Sequence, residues 1–144
     1  MNITDLQPQE VFHFFNEICK IPRPSKKEGR IIAFLKDFAE KHHLQYDTDA
    51  AGNVLIRKPA SKGYENRPSV ILQSHMDMVC EKNSSVEHDF DKDPIQPYVD
   101  GEWLKAQGTT LGADNGIGIA TQLAILASDF IEHGPIECLF TVDE

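Results

Sequence analysis

The sequence predicts an α/β domain, a mostly parallel or mixed sheet flanked by helices. Three observations carry that expectation. Apolar residues recur at helical spacing in two segments near the amino end and in a third around 117–128. Two short, largely apolar runs, Val70-Ile-Leu72 and Ile136-Glu-Cys-Leu-Phe-Thr-Val142, read as strands of the kind that are covered on both faces. Helical and extended segments also alternate along the chain, as they do when helices cross over a sheet.

The first helix is marked by Val11, Phe12, Phe15, Ile18 and Cys19. Ile21-Pro-Arg-Pro24 ends it, because proline lacks a backbone N–H and pushes the preceding residue out of the helical region. Ser25-Lys-Lys-Glu28 spells a capping box, in which serine and glutamate satisfy the free N–H groups at a helix start. Ile31, Phe34, Leu35 and Phe38 then fall at i, i+3, i+4 and i+7, so a second amphipathic helix extends to about His43. Leu44-Gln-Tyr-Asp-Thr48 and Val54-Leu-Ile-Arg57 flank the turn formers Asp49-Ala-Ala-Gly-Asn53, which predicts a hairpin.

Residues 61–68 are polar and form a loop before the Val70 strand, which runs into Gln73-Ser-His-Met-Asp77. Residues 81–97 read as irregular, and Trp103 with Leu104 as a short strand. A glycine-containing loop spans 108–118. A helix follows, with Ile117, Ala120, Leu123, Ala124 and Ala127 on one side. Gly134-Pro135 then leads into the final strand.

Composition narrows the function. With 144 residues the chain has the length of one domain, and 23 acidic against 14 basic residues give a net charge of −9. That balance argues against nucleic acid as the main partner and against docking on an anionic membrane. It leaves room for a bound cation. Three cysteines, Cys19, Cys80 and Cys138, show no paired spacing and read as reduced thiols of a cytoplasmic protein. The opening Met-Asn-Ile-Thr-Asp-Leu-Gln lacks the basic and apolar regions of a secretory signal. No apolar run approaches the ~18–20 residues of a membrane span.

In an α/β sheet, chemistry gathers where strands end. His75 and Asp77 follow the Val70 strand; in extended chain, residues i and i+2 share a face. An imidazole there can ligate a metal while the neighbouring carboxylate fixes its orientation and basicity. Asp114, within Leu111-Gly-Ala-Asp-Asn-Gly-Ile-Gly118, has two readings: a helix N-cap, or a carboxylate bridging two cations. The glycine order is that of neither a dinucleotide fingerprint nor a P-loop. Asp143 and Glu144 end the last strand as a solvated pair or as a general base beside a metal site. Asp89-Phe-Asp91-Lys-Asp93 opens like a calcium loop, but Pro94 and Asp100 stand where glycine and glutamate are required. His13, His42, His43 and His88 read as ordinary helix or loop residues, and His133 has no visible partner.

Three motifs in order, Ser74-His-Met-Asp-Met-Val-Cys80, Gly108-Thr-Thr-Leu-Gly-Ala-Asp-Asn-Gly-Ile-Gly118 and Phe140-Thr-Val-Asp-Glu144, resemble the amino-terminal part of the aminoacyl-histidine dipeptidase family. That family is a branch of the di-zinc metallopeptidases that include aminoacylase and carboxypeptidase G. Ile18-Cys-Lys-Ile-Pro-Arg-Pro-Ser25 and Asp91-Lys-Asp-Pro-Ile95 are similar to the same branch, so the resemblance covers essentially the whole chain.

The resemblance implies a part of a zinc-peptidase catalytic domain that hydrolyses dipeptides such as Xaa-His. In it, His75 ligates one zinc and Asp77 orients that site. Asp114 bridges two zinc ions and is followed by a cis peptide. Glu144 is the general base for a hydroxide held between the metals. Cobalt or manganese suits such donors as well as zinc.

The family's second glutamate, a further aspartate and histidine, and the lid domain through which members form homodimers are not among residues 1–144. Of five ligand residues only His75 and Asp114 are present, so the chain alone is expected to be inactive. The alternatives are another di-zinc aminopeptidase or deacylase, and a non-catalytic α/β binding module.

Overall fold

The computed structural model describes residues 1–144. After a short 3-10 turn at Ile3–Asp5, the first apolar stripe becomes α1, Gln9–Cys19, which buries Phe15, Ile18 and Cys19. The two prolines at 22 and 24 hold the chain out of helix until α2, Gly29–Lys41, which buries Ile31, Leu35, Phe38 and Ala39. The hairpin then forms as β1, Gln45–Thr48, and β2, Val54–Lys58, paired antiparallel. Its turn is closed by one side chain: Asp49 Oδ1 accepts N–H bonds from Ala51, Gly52 and Asn53.

Four further strands and one helix follow: β3, Val70–His75; β4, Pro97–Asp100; β5, Trp103–Ala106; α3, Ala113–Ala127; and β6, Ile136–Thr141. The main sheet has the order β1-β2-β6-β3, while β4 and β5 form a separate two-stranded ribbon. The pairing is mixed. β3 and β6, joined through α3, run parallel; β2 runs antiparallel to both of its neighbours. The five-residue link between β1 and β2 permits nothing else, whereas the long β3-to-β6 connection carries the crossover helix that parallel strands require.

α1 packs on α3, α3 on β3, and α2 on the β1–β2 hairpin. Phe15, Ile18, Ile56, Ile119, Leu123, Cys138 and Phe140 meet in one apolar core. Burial pushes the Cys138 thiol up to about 12 and the Cys19 thiol up to about 11, so both are held protonated in the core. No helix is long and apolar enough to cross a membrane.

Four expectations need correction. β3 is not covered on both faces. It is one of the two edge strands of the sheet, and Val70 and Ile71 are 52% and 63% exposed. The capping box does not form, because α2 starts at Gly29, with Glu28 at the N-cap position and no side-chain cap. Ser25 lies four residues before the first helical residue and is turned away by the left-handed Lys26, so it cannot reach the helix amides. Residues 81–97 are irregular as expected, but Pro97–Asp100 pairs with β5. Finally, α3 begins inside the glycine segment rather than at residue 117. Gly112, at φ +71, makes the entry turn that a residue with a Cβ adopts only under strain.

Candidate metal centre

Parallel pairing carries β3 and β6 to the same end of the sheet. The register runs from Val70 opposite Ile136 to His75 opposite Thr141. One more ladder bond, from Met76 N–H to Thr141 O at 2.7 Å, extends it beyond the strand. His75 and Asp77 therefore emerge beside Asp143 and Glu144, and the kinked start of α3 brings Asp114 to the same place.

His75 is the centre of the cluster. Its Nδ1 lies 2.9 Å from the Asp77 carbonyl oxygen and 3.2 Å from Asp77 Oδ1, and its Nε2 lies 3.0 Å from Asp114 Oδ1. Nδ1 faces only acceptors and so carries the ring proton. Nε2 faces an acceptor too. A neutral imidazole has one N–H, so the gap between Nε2 and the Asp114 carboxylate calls for a second proton or a cation. Burial lowers the basicity of His75, but the hydrogen bonds and charges of Asp114 and Asp77 outweigh it and raise the imidazole above its usual range.

Asp77 is 3% exposed, and both of its oxygens are in use. Oδ2 accepts from Ser25 Oγ at 2.5 Å, and Oδ1 accepts the Glu144 N–H at 3.2 Å besides facing His75. Burial alone would push this carboxyl up; Ser25, the Glu144 amide and His75 together hold it below the carboxylate range. Asp77 is thus an ionised carboxylate engaged in orienting its neighbours, with no oxygen free to act elsewhere.

Asp114 behaves differently. Its side chain is 95% exposed apart from the contact with His75. It does not cap α3, whose N-cap position is Gly112. Asp114 and Asn115 depart from helical geometry, and the peptide between them is cis. The kink turns the carboxylate toward the ring rather than along the helix. Glu144 joins the cluster through its backbone amide, and its carboxylate is exposed and makes no hydrogen bond. Asp143, at φ +47, is held by its N–H to Glu28 Oε1 at 3.0 Å.

Two residues that the sequence places in a helix cap thus serve the site instead: Ser25 grips Asp77, and Glu28 grips the Asp143 amide. Residue type alone does not mark Arg23 as part of the site, yet it is 2% exposed beneath it. Its only outward signal is the Pro-Arg-Pro setting, where an arginine sits between two helix breakers. The calcium-like segment closes on itself, since Asp89 Oδ1 and Asp93 Oδ2 accept backbone N–H bonds within the loop.

An imidazole nitrogen and an exposed carboxylate, with the other ring nitrogen held by a second carboxylate, are the kind of donors that zinc takes. They supply two ligands, where an open zinc site takes three from protein. No group of three or more His, Cys, Asp or Glu side chains comes together as a metal site in the chain. The donors fit zinc in kind and fall short in number.

No family model matches the chain. It is 51% identical over 142 residues to the cytosol non-specific dipeptidase of Escherichia coli (strain K12), a match covering 99% of this chain and 29% of that protein. An uncharacterized protein of Bacillus subtilis (strain 168), YqjE, is 30% identical over 142 residues, covering 90% of this chain and 35% of its own length. Among solved structures, the aminoacylhistidine dipeptidase of Vibrio alginolyticus superposes with a TM-score of 0.98 at 52% identity, over 100% of this chain and 29% of that one. A tripeptidase of Staphylococcus aureus shares the fold, with a TM-score of 0.76 at 24% identity over 96% of this chain and 37% of that one. The chain spans less than a third of the length of these two dipeptidases. Over that stretch it is a close homologue of the aminoacylhistidine, or cytosol non-specific, dipeptidases.

Proposed function

We propose that the chain forms the His75–Asp114 part of the active site of a cytoplasmic zinc dipeptidase, within a catalytic domain that extends beyond residues 1–144. One observation carries the reading: His75 Nε2 and the Asp114 carboxylate face each other at 3.0 Å with the opposite ring nitrogen already held by Asp77. The dipeptidase names of two close homologues, and the word cytosol in one of them, support the activity and the compartment. Two zinc ions, dipeptides such as Xaa-His as substrate, and a lid domain that serves dimerisation complete the proposal.

The metal, when bound, would polarise the peptide carbonyl and make water a better nucleophile at neutral pH. The chain's residues do the rest. Asp77 keeps the His75 proton on Nδ1, so that Nε2 presents a lone pair. Asp114 supplies a carboxylate that is exposed on its outer side and able to bridge. Glu144 is tethered through its backbone to Asp77, which leaves its carboxylate free to move a proton. It takes that proton from the attacking water and gives it to the departing amine nitrogen, so one carboxylate serves first as base and then as acid.

The test has two arms. Added zinc or cobalt should bind the 144-residue chain weakly, and His75→Ala and Asp114→Ala should each abolish that binding; equal binding in the variants overturns the metal reading. In the complete enzyme, Glu144→Gln should lower kcat about 10²–10⁴-fold at unchanged metal content. Undiminished turnover removes Glu144 as the base.

A further inference from the structure

The two proposed ligands sit on different segments, 39 residues apart, and something must set the distance between them. The loop carrying His75 and Asp77 leaves the edge strand. The segment carrying Asp114 enters a kinked helix through a left-handed glycine. Farther out the two loops meet in an antiparallel bridge at Lys82 and Thr109, where Asn83 N–H donates to the Gly108 carbonyl and Thr110 N–H to the Glu81 carbonyl, both at 2.9 Å. No backbone hydrogen bond joins them at the His75 and Asp114 ends.

Arg23 lies under both. Its Nη1 donates to the Met76 carbonyl at 3.0 Å and to the Asp77 carbonyl at 3.3 Å, and its Nη2 donates to the Gly112 carbonyl at 2.6 Å. Its own backbone carbonyl accepts the Met78 N–H at 3.1 Å, so main chain and side chain grip the same loop. The guanidinium makes no ion pair with a carboxylate; three carbonyl dipoles carry its charge in a buried place. That arrangement requires a planar fork, and a lysine ammonium on a flexible stem does not reproduce it.

The glycines record the same fit. A Cβ on Gly112 would lie 2.7 Å from Arg23 Nη2, and one on Gly116 would lie 2.8 Å from it. Both must be glycine for the helix start to close on the guanidinium.

We infer that Arg23 is a positioning residue: its guanidinium ties the Met76–Asp77 carbonyls to Gly112 and so sets the spacing of His75 and Asp114 before any metal arrives. The use of that spacing, though not the clamp itself, rests on the proposed metal site. Ordering the donors in advance spares the ion the cost of gathering them.

The metal-free 144-residue chain decides it. In the parent, the His75 Nδ1 proton should be seen by NMR as a single slowly exchanging signal, and the Met78 and Gly116 amides should be protected. Arg23→Lys should erase the ring signal and lower protection at Met78 and Gly116 by about tenfold or more, while β6 amides such as Cys138 keep theirs. A merely structural arginine predicts the opposite, protection lost evenly over the molecule. That result, or an unchanged His75 signal in folded Arg23→Lys, overturns the inference.

Should the lysine variant fail to fold, Gly116→Ala decides by the same readings, because it retains Arg23 and its Cβ presses hardest on Nη2, at 2.8 Å, with Phe15 Cε2 next at 3.0 Å. A cobalt titration of the parent reads the metal proposal separately. Failure to bind would remove that proposal and leave the measured clamp standing.

Discussion

β3 and β6 are parallel neighbours, six residues each, and both deliver site residues from the same end of the sheet. They are held in opposite ways. β6 is central, paired with β2 on one side and β3 on the other, and its alternate residues Ile136, Cys138 and Phe140 are buried. β3 has one neighbour. Val70 and Ile71 are exposed, Leu72 is half-buried against the core, and full burial comes only at Ser74. The site therefore joins a strand fixed by apolar packing along its length to one fixed mainly at its chemical end. On that second strand, polar contacts do the anchoring: Ser74 to Gln122, Asp77 to Ser25, and the carbonyls of Met76 and Asp77 to Arg23.

The largest expected effect tests the packed strand. Phe140→Ala removes a ring with no exposure from the centre of the core and should cost about 3–5 kcal/mol, read as a fall in the urea midpoint at unchanged slope. A loss under ~1 kcal/mol would mean that β6 is no better packed than its neighbour.

The next effect tests the anchor that joins the two strands. Gln122, 3% exposed on α3, donates through Nε2 to the Leu72 carbonyl at 2.8 Å and accepts from the Ser74 hydroxyl through Oε1. Its Nε2 also reaches the Leu139 carbonyl of β6 at 3.4 Å. Gln122→Leu keeps the volume and strands a buried hydroxyl and a carbonyl, at a cost of about 1–3 kcal/mol. Hydrogen exchange should show the loss in β3 amides before those of β6. Uniform loss across both strands would refute the view that β3 depends on this contact.

Periodicity made the helices legible, because burial of Phe15, Ile18, Leu35 and Phe38 follows from their spacing alone. The residues of the site were legible as strand-end polar groups, and the structure brings His75, Asp77, Asp114 and the Glu144 backbone together. What escaped has a common cause. Val70 and Ile71 carry the same β-branched signal as a covered strand, and sequence spacing does not say which strand has a second neighbour. Ser25 and Glu28 fit a capping box three residues apart, yet each found a partner far along the chain, in Asp77 and Asp143. Gln122 carries no local signal of its role, since its partners Ser74 and Leu72 lie 48 and 50 residues away in sequence. Long-range partners of polar groups depend on tertiary placement, and no local pattern encodes them.

The smallest effect sharpens the comparison from the other side. Ile71 is 63% exposed on the open face of the edge strand, so Ile71→Lys removes little packing and should shift stability by no more than ~0.5 kcal/mol. The consequence should lie in association instead. An edge strand presenting unpaired backbone groups beside Val70 and Ile71 is a template for strand-to-strand contact, and a lysine there opposes it by charge and hydration. Sedimentation of the 144-residue chain at rising concentration should show less self-association in the lysine variant than in the parent, with thermal midpoints nearly equal. A destabilisation near that of Phe140→Ala would show that β3 is packed like β6 after all. Equal association in parent and variant would show that the open edge has no part in self-contact.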